Sequence, residues 1–139
     1  MDNSQPAGGQ WSAEQLQGFE KEAEQRWGRT EAYRQSRERV AKFTKADWKR
    51  VSAETDANLR AFVALLAAGK TPDSLEVQAE VAKHHAGIGR FYDCSLEMYR
   101  GLADMYVADQ RFADFYRNFH AGLPEFLVAA MRAYCDRKP

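Results

Sequence analysis

The chain is predicted to be all-α. Three observations carry this: apolar residues recur at helical spacing in successive segments, the segments open on capping residues and several close on glycine, and no two-residue alternation lasts the length of a strand. The 139 residues fit one domain and can bury a sizeable core without disulfide or metal staples.

Residues 1–11 combine Asp, Asn, Ser, Gln, Pro and paired glycines with little to bury, and are expected to be a flexible leader. Ser12 and Gln15 have the form of a capping box, after which Leu16, Phe19, Ala23 and Trp27 share one face until Gly28, predicting a helix over 12–27. Thr30 can cap a second, short helix to about Lys42, whose apolar face is little more than Tyr33 and Val40 among charges. Thr44 with Asp47 opens the longest helix, with Trp48, Val51, Thr55, Leu59, Phe62 and Leu66 on its face and Gly69 at its end.

After Thr71-Pro72-Asp73, Ser74 caps a fourth helix that places Val77, Val81, His84, His85, Ile88 and Phe91 on one side and ends near Tyr92-Asp93. A fifth begins around Ser95 and presents Met98, Leu102, Met105 and Tyr106. A sixth carries Phe112, Phe115, Tyr116 and Phe119 before Gly122, and a seventh, with Pro124 at a first-turn position, shows Leu127, Ala130, Met131 and Tyr134.

Charge excludes some function classes. Lys plus Arg and Asp plus Glu each total 20, so no basic footprint for nucleic acid or an acidic membrane surface is present. The longest apolar run, Ala61 to Ala68, falls far below the ~20 residues that span a bilayer, and the N-terminus has neither the positive start nor the apolar stretch of a secretion signal. A cytoplasmic monomer is expected. Two cysteines, Cys94 and Cys135, are too few for a disulfide scaffold. Aromatic residues at 12 % of the chain exceed what a small core requires and point to a ligand cavity.

The stripes from Thr44 onward are broad, whereas those of the first two segments are narrow and flanked by charge. Short isolated helices are marginal in water and need a surface to pack on. Residues 12–43 are therefore expected to form a lid, ordered when a ligand supplies that surface, over a core of residues 44–139.

Four stretches carry a resemblance: Glu-Gln-Arg-Trp-Gly-Arg-Thr-Glu-Ala-Tyr at 24–33, Thr-Lys-Ala-Asp-Trp at 44–48, Tyr-Asp-Cys at 92–94 and Leu-Ala-Asp-Met-Tyr-Val-Ala-Asp at 102–109. In order and interval, from about Leu16 to Tyr134, they resemble the TipAS antibiotic-recognition domain of MerR-type regulators. The resemblance implies a globin-like bundle of about five core helices, with two N-terminal lid helices closing over a bulky, hydrophobic antibiotic such as a thiopeptide. It further implies drug sensing, or sequestration and resistance of the kind that related domains give against albicidin. The full-length relatives carry a winged helix and a coiled coil before this domain; neither pattern precedes Ser12, so this chain alone is expected to bind no DNA. An effector domain of a MerR-type regulator answering multidrug or stress ligands is the alternative. The family's covalent route to a dehydroalanine uses a cysteine seven residues after that of Tyr-Asp-Cys, a position occupied here by Gly101.

Candidate site residues follow from chemistry. Cys94 precedes Ser95, where the amides of the next helix can lower a thiol pKa and make a nucleophile; the other reading is a small buried apolar residue. Phe91, Tyr92, Met98, Tyr106, Tyr116 and Phe119 are suited to meet a flat heteroaromatic ligand or to fill the core. Asp93 can offer an oriented acceptor or cap a helix, and Trp27 can cover the drug or anchor the lid. His85 and Ile88 join the set from the fourth helix. His84, His85 and His120 raise a haem or metal alternative, but adjacent histidines diverge by about 100° and cannot share one metal as an i, i+4 pair does. Neither a nucleophile elbow, nor a Gly-rich phosphate loop, nor a His-Glu-x-x-His zinc motif occurs, so neither an enzyme nor a cofactor is expected.

Overall fold

Side-chain caps set where the helices start. In the computed structural model, which describes residues 18, 21–22 and 25–137, the hydroxyl of Thr30 accepts from the Tyr33 N–H at 3.2 Å and opens α1 (Glu31–Ala41). Thr44 and Asp47 form a reciprocal capping box at α2 (Lys45–Ala67), with bonds of 3.1 and 2.9 Å. Ser74 caps α3 (Leu75–Ile88), Ser95 caps α4 (Leu96–Ala108) and Asp109 caps α5 (Gln110–Arg117). Pro124, whose missing N–H costs nothing in a first turn, is the second residue of α6 (Leu123–Arg137).

Residues 18, 21–22 and 25–27 are also helical, while most of the expected 12–27 helix and the 1–11 leader lie outside the described residues. No strand occurs among the described residues. Two predicted helix ends move inward. α3 stops at Ile88, where Phe91 N–H turns back to the Ile88 carbonyl at 2.9 Å, so Phe91 and Tyr92 belong to a connection. α5 stops at Arg117, and Phe119 lies beyond it, its N–H on the Tyr116 carbonyl at 3.0 Å.

α6 is the centre. Leu123, Pro124, Phe126, Leu127, Val128, Ala130, Met131 and Cys135 are all buried, so it is apolar on nearly every side and packs against α2, α3, α4 and α5. The other helices form two pairs, α2 with α3 and α4 with α5. Phe62, Val77 and Val81 bring the first pair to α6; Tyr99 and Ala103 bring the second. Gln78, the buried polar residue of the core, donates from Nε2 to the carbonyls of Pro72 at 2.9 Å and Ala130 at 3.1 Å. α3 and α4 are not in close helix-to-helix packing, so α6 closes one side of the boundary between the pairs and side chains must bridge the rest.

α1 has no buried residue and is held mainly by polar contacts to the connection after α3. Arg39 donates to the Gly89 carbonyl at 3.0 Å and to the Asp93 carboxylate at 2.9 Å, and Gln35 accepts from the Asp93 N–H at 2.8 Å. Further toward the N-terminus, Arg111 binds the Glu22 carboxylate through both terminal nitrogens, at 2.6 and 2.8 Å, and Asp109 at 2.7 Å.

Candidate functional site

The boundary between the helix pairs is bridged by rings carrying polar atoms. His84 of α3 reaches Tyr99 of α4, with Nδ1 2.7 Å from the hydroxyl oxygen. Its ring lies 5.6 Å from that of Tyr99, 6.2 Å from Tyr106 and 6.4 Å from Phe62 of α2, centroid to centroid. His85, diverging from His84 as adjacent helical residues must, packs on the other side of Tyr99 at 4.6 Å. Its Nε2 lies 2.8 Å from the Cys94 carbonyl and its Nδ1 3.1 Å from the Tyr134 hydroxyl of α6. A carbonyl only accepts, so Nε2 carries the proton toward Cys94, and in the neutral ring Nδ1 accepts from Tyr134. Both His85 nitrogens are thus engaged in holding α3, the Cys94 connection and α6 together.

Burial keeps His84 and the tyrosines of the boundary neutral. It pushes the His84 imidazole down to about 4, with the neighbouring His85 adding to the shift. Burial raises the Tyr99 and Tyr106 hydroxyls well above their usual range, and takes Tyr116 and Tyr92 to about 12. His84 and these tyrosines therefore offer hydrogen-bonding atoms without charge, set among aromatic rings.

Several predicted site residues meet here. Tyr106 and Tyr116 are buried, with rings 5.2 Å apart, and Phe112 stacks on Tyr106 at 5.8 Å. Phe119 is half-buried and continues the group through Phe115 at 5.5 Å. Ile88 and Cys94 are half-buried against the core, and the Cys94 thiol donates to the Ser95 carbonyl at 3.7 Å. Of the two readings of Cys94, the thiol lowered by the amides of α4 is corrected: desolvation pushes it up, and the residue is half-buried rather than fully enclosed.

Others are placed elsewhere. Phe91 packs with Phe43 at 5.7 Å and Trp48 at 6.2 Å, at the junction of α1 and α2. Asp93 is exposed, and the capping reading is corrected, because Ser95 caps α4; the Asp93 carboxylate takes Arg39 and Gln35 instead, and Arg39 holds it below the usual carboxylate range. Trp27 and Met98 remain 41 % and 38 % exposed. Sequence reasoning passed over Tyr99, and named His84 and Tyr134 on their helix faces without placing them among the candidate ligand contacts. The buried stripe of α4 is Tyr99, Ala103 and Tyr106, one residue on from the expected Met98 and Leu102. A Tyr-x₃-Ala-x₂-Tyr spacing was the available signal.

Comparison with known proteins now bears on this geometry. The family profile of the TipAS antibiotic-recognition domain matches residues 19–134. The chain is 46 % identical over 115 residues to the HTH-type transcriptional activator TipA of Streptomyces coelicolor, covering 82 % of this chain and 44 % of that protein. It is 34 % identical over 105 residues to the HTH-type transcriptional activator mta of Bacillus subtilis, covering 75 % and 40 %. The chain thus spans less than half the length of these curated relatives. The solved structure of TipAS from a thiopeptide multidrug resistance system of Streptomyces lividans, in complex with nosiheptide, matches with a TM-score of 0.79 and 41 % identity, covering 87 % of this chain and 85 % of that one. The all-α, globin-like fold expected from the sequence is the fold observed. This chain belongs to the TipAS antibiotic-recognition domain family.

Proposed function

We propose that this domain binds bulky, largely apolar antibiotics of the thiopeptide kind at the boundary between its two helix pairs, as the recognition step of drug sensing or sequestration. One observation carries the reading: a domain 41 % identical, aligned over 87 % of this chain, has been solved with nosiheptide. The chemistry at the boundary supports it, because an aromatic setting with a few uncharged polar atoms suits a multi-ring ligand. Tyr92, Tyr106, Tyr116, Phe119, Ile88 and His85 belong to the inner part of the proposed site. Phe91, Asp93, Met98 and Trp27 meet the ligand or the segment that covers it.

In this reading residues 12–43 are a lid over the body of 44–139, and the polar, unburied contacts of α1 fit an element that detaches easily. Capture is non-covalent, since the Cys94 thiol is held up by burial and Gly101 takes the position at which the family resemblance puts a reactive cysteine. The domain acts as a cytoplasmic monomer and as a binder rather than a catalyst; no helix among the described residues is long and apolar enough to cross a membrane. Isothermal titration with nosiheptide at several temperatures tests this, with saturable binding and a clearly negative heat-capacity change expected. Absence of saturable binding to nosiheptide and to a panel of other multi-ring antibiotics overturns it.

A second reading makes the domain the effector part of a larger regulator. It is favoured by alignment to under half the length of two helix-turn-helix activators. A winged-helix segment encoded in frame with this domain in its native gene decides for it.

A further inference from the structure

His84 differs from its neighbour in one respect. Both nitrogens of His85 have protein partners, whereas only Nδ1 of His84 does, on the Tyr99 hydroxyl at 2.7 Å. Among the described residues no other hydrogen bond reaches either the His84 ring or the Tyr99 hydroxyl. Tyr99 is fully buried, so its hydroxyl proton has Nδ1 as its acceptor, because a buried O–H left without one is costly. The ring is then the tautomer with its proton on Nε2. No side-chain nitrogen or oxygen sealed from solvent lacks a partner among the described residues, so the unbonded Nε2 keeps some access to solvent at the boundary. Around the imidazole ring as a whole stand the rings of Phe62, Tyr99 and Tyr106.

We propose that the Nε2–H of His84 orients the ligand in this site, by donating a hydrogen bond to an uncharged acceptor on it, a carbonyl oxygen or a ring nitrogen. The inference rests on the drug-binding reading above and adds the atom that reads the ligand. The groups facing His84 are His85, Tyr99 and Tyr106, none of them a carboxylate, and with burial holding the imidazole near 4 the donor is neutral in the cell. Selection is thus for a hydrogen-bond acceptor, with no positive charge on His84 to favour an anion. A flat apolar ring alone gains only stacking here, while a ring bearing an acceptor at its edge also satisfies the free N–H.

The experiment is a titration of the ¹⁵N-labelled protein with nosiheptide, read at the histidine ring nitrogens, with binding constants for His84→Phe and His84→Gln alongside. The His84 Nε2 resonance is expected to move on saturation. His84→Phe should bind about tenfold more weakly, the worth of one good hydrogen bond. His84→Gln, whose amide can still donate, should recover most of that loss. If His84→Phe fails to fold, the nitrogen shift in the wild-type protein decides alone. Saturable binding with an unmoved His84 nitrogen, or with wild-type affinity in His84→Phe, overturns the inference and leaves the drug-binding reading intact. No saturation by the wild-type protein overturns that reading, and this inference with it.

Discussion

Substituting His84 by glutamine should change how stability depends on pH. An imidazole that titrates at about 4 in the folded chain, and near 6.5 once unfolded, binds its proton more readily in the unfolded state. Between those values the unfolded state holds more protons, so stability falls as the pH drops through 6.5 and the loss is complete only below 4. At about 1.36 kcal/mol per unit of pKa, the whole window amounts to about 3 kcal/mol, of which about 2 kcal/mol is lost between pH 7 and pH 5. Urea unfolding of the wild-type protein and of His84→Gln at both pH values measures it. Carboxylates titrate in both proteins and cancel in the comparison, so the wild-type chain should lose about 2 kcal/mol more than the variant on going to pH 5. Parallel losses, with no excess in the wild-type protein, refute the burial of His84 and with it the neutral bridge between the helix pairs.

Phe62 has no exposed surface and supports both the core and the His84 ring, so Phe62→Ala should cost about 3–5 kcal/mol in urea or thermal unfolding. Asp93→Ala removes the carboxylate that holds Arg39 and Gln35, and hydrogen exchange should show faster exchange of α1 amides with no change in α6. Alkylation of Cys94 by iodoacetamide at pH 7.5 should run several-fold slower than that of a free cysteine, because burial keeps its thiolate scarce; a faster reaction counts against the inert reading.

The helix starts could be read from the sequence because each cap is a local event: Thr30, Thr44, Ser74 and Ser95 each bond an amide three residues on, and a short polar side chain before an apolar run announces this directly. Helix ends were harder. α3 and α5 stop short of Phe91 and Phe119 because backbone turns take over at Ile88 and Tyr116, and an aromatic side chain can continue an apolar stripe past the last helical residue. The site suffered from rotation more than from position. On α4 the choice between Met98-Leu102 and Tyr99-Ala103 turns on which face meets α6, and tertiary packing settles that, not periodicity within the segment. Methionine reads as the more apolar residue, so the tyrosine that the core buries was passed over. The Arg39–Asp93 contact joins residues 54 positions apart and leaves no local trace at all.

The polar bridge matters because of what it replaces. Had α3 and α4 packed directly, a leucine or phenylalanine in place of His84 would have contributed about 1.5–3 kcal/mol of burial, against about 1 kcal/mol net for a hydrogen bond. A domain selected only for stability has reason to close that boundary, and α6, apolar on nearly every face, shows that this chain can build such packing. On the proposed function, leaving the two helix pairs joined by rings and hydroxyls keeps a surface apolar enough to receive a large ring system, yet furnished with fixed, neutral hydrogen-bonding atoms. On that reading, stability surrendered at the boundary is the physical counterpart of specificity gained there, and the same trade accounts for α1, which one ion pair and a few hydrogen bonds hold in place without burying any of its residues.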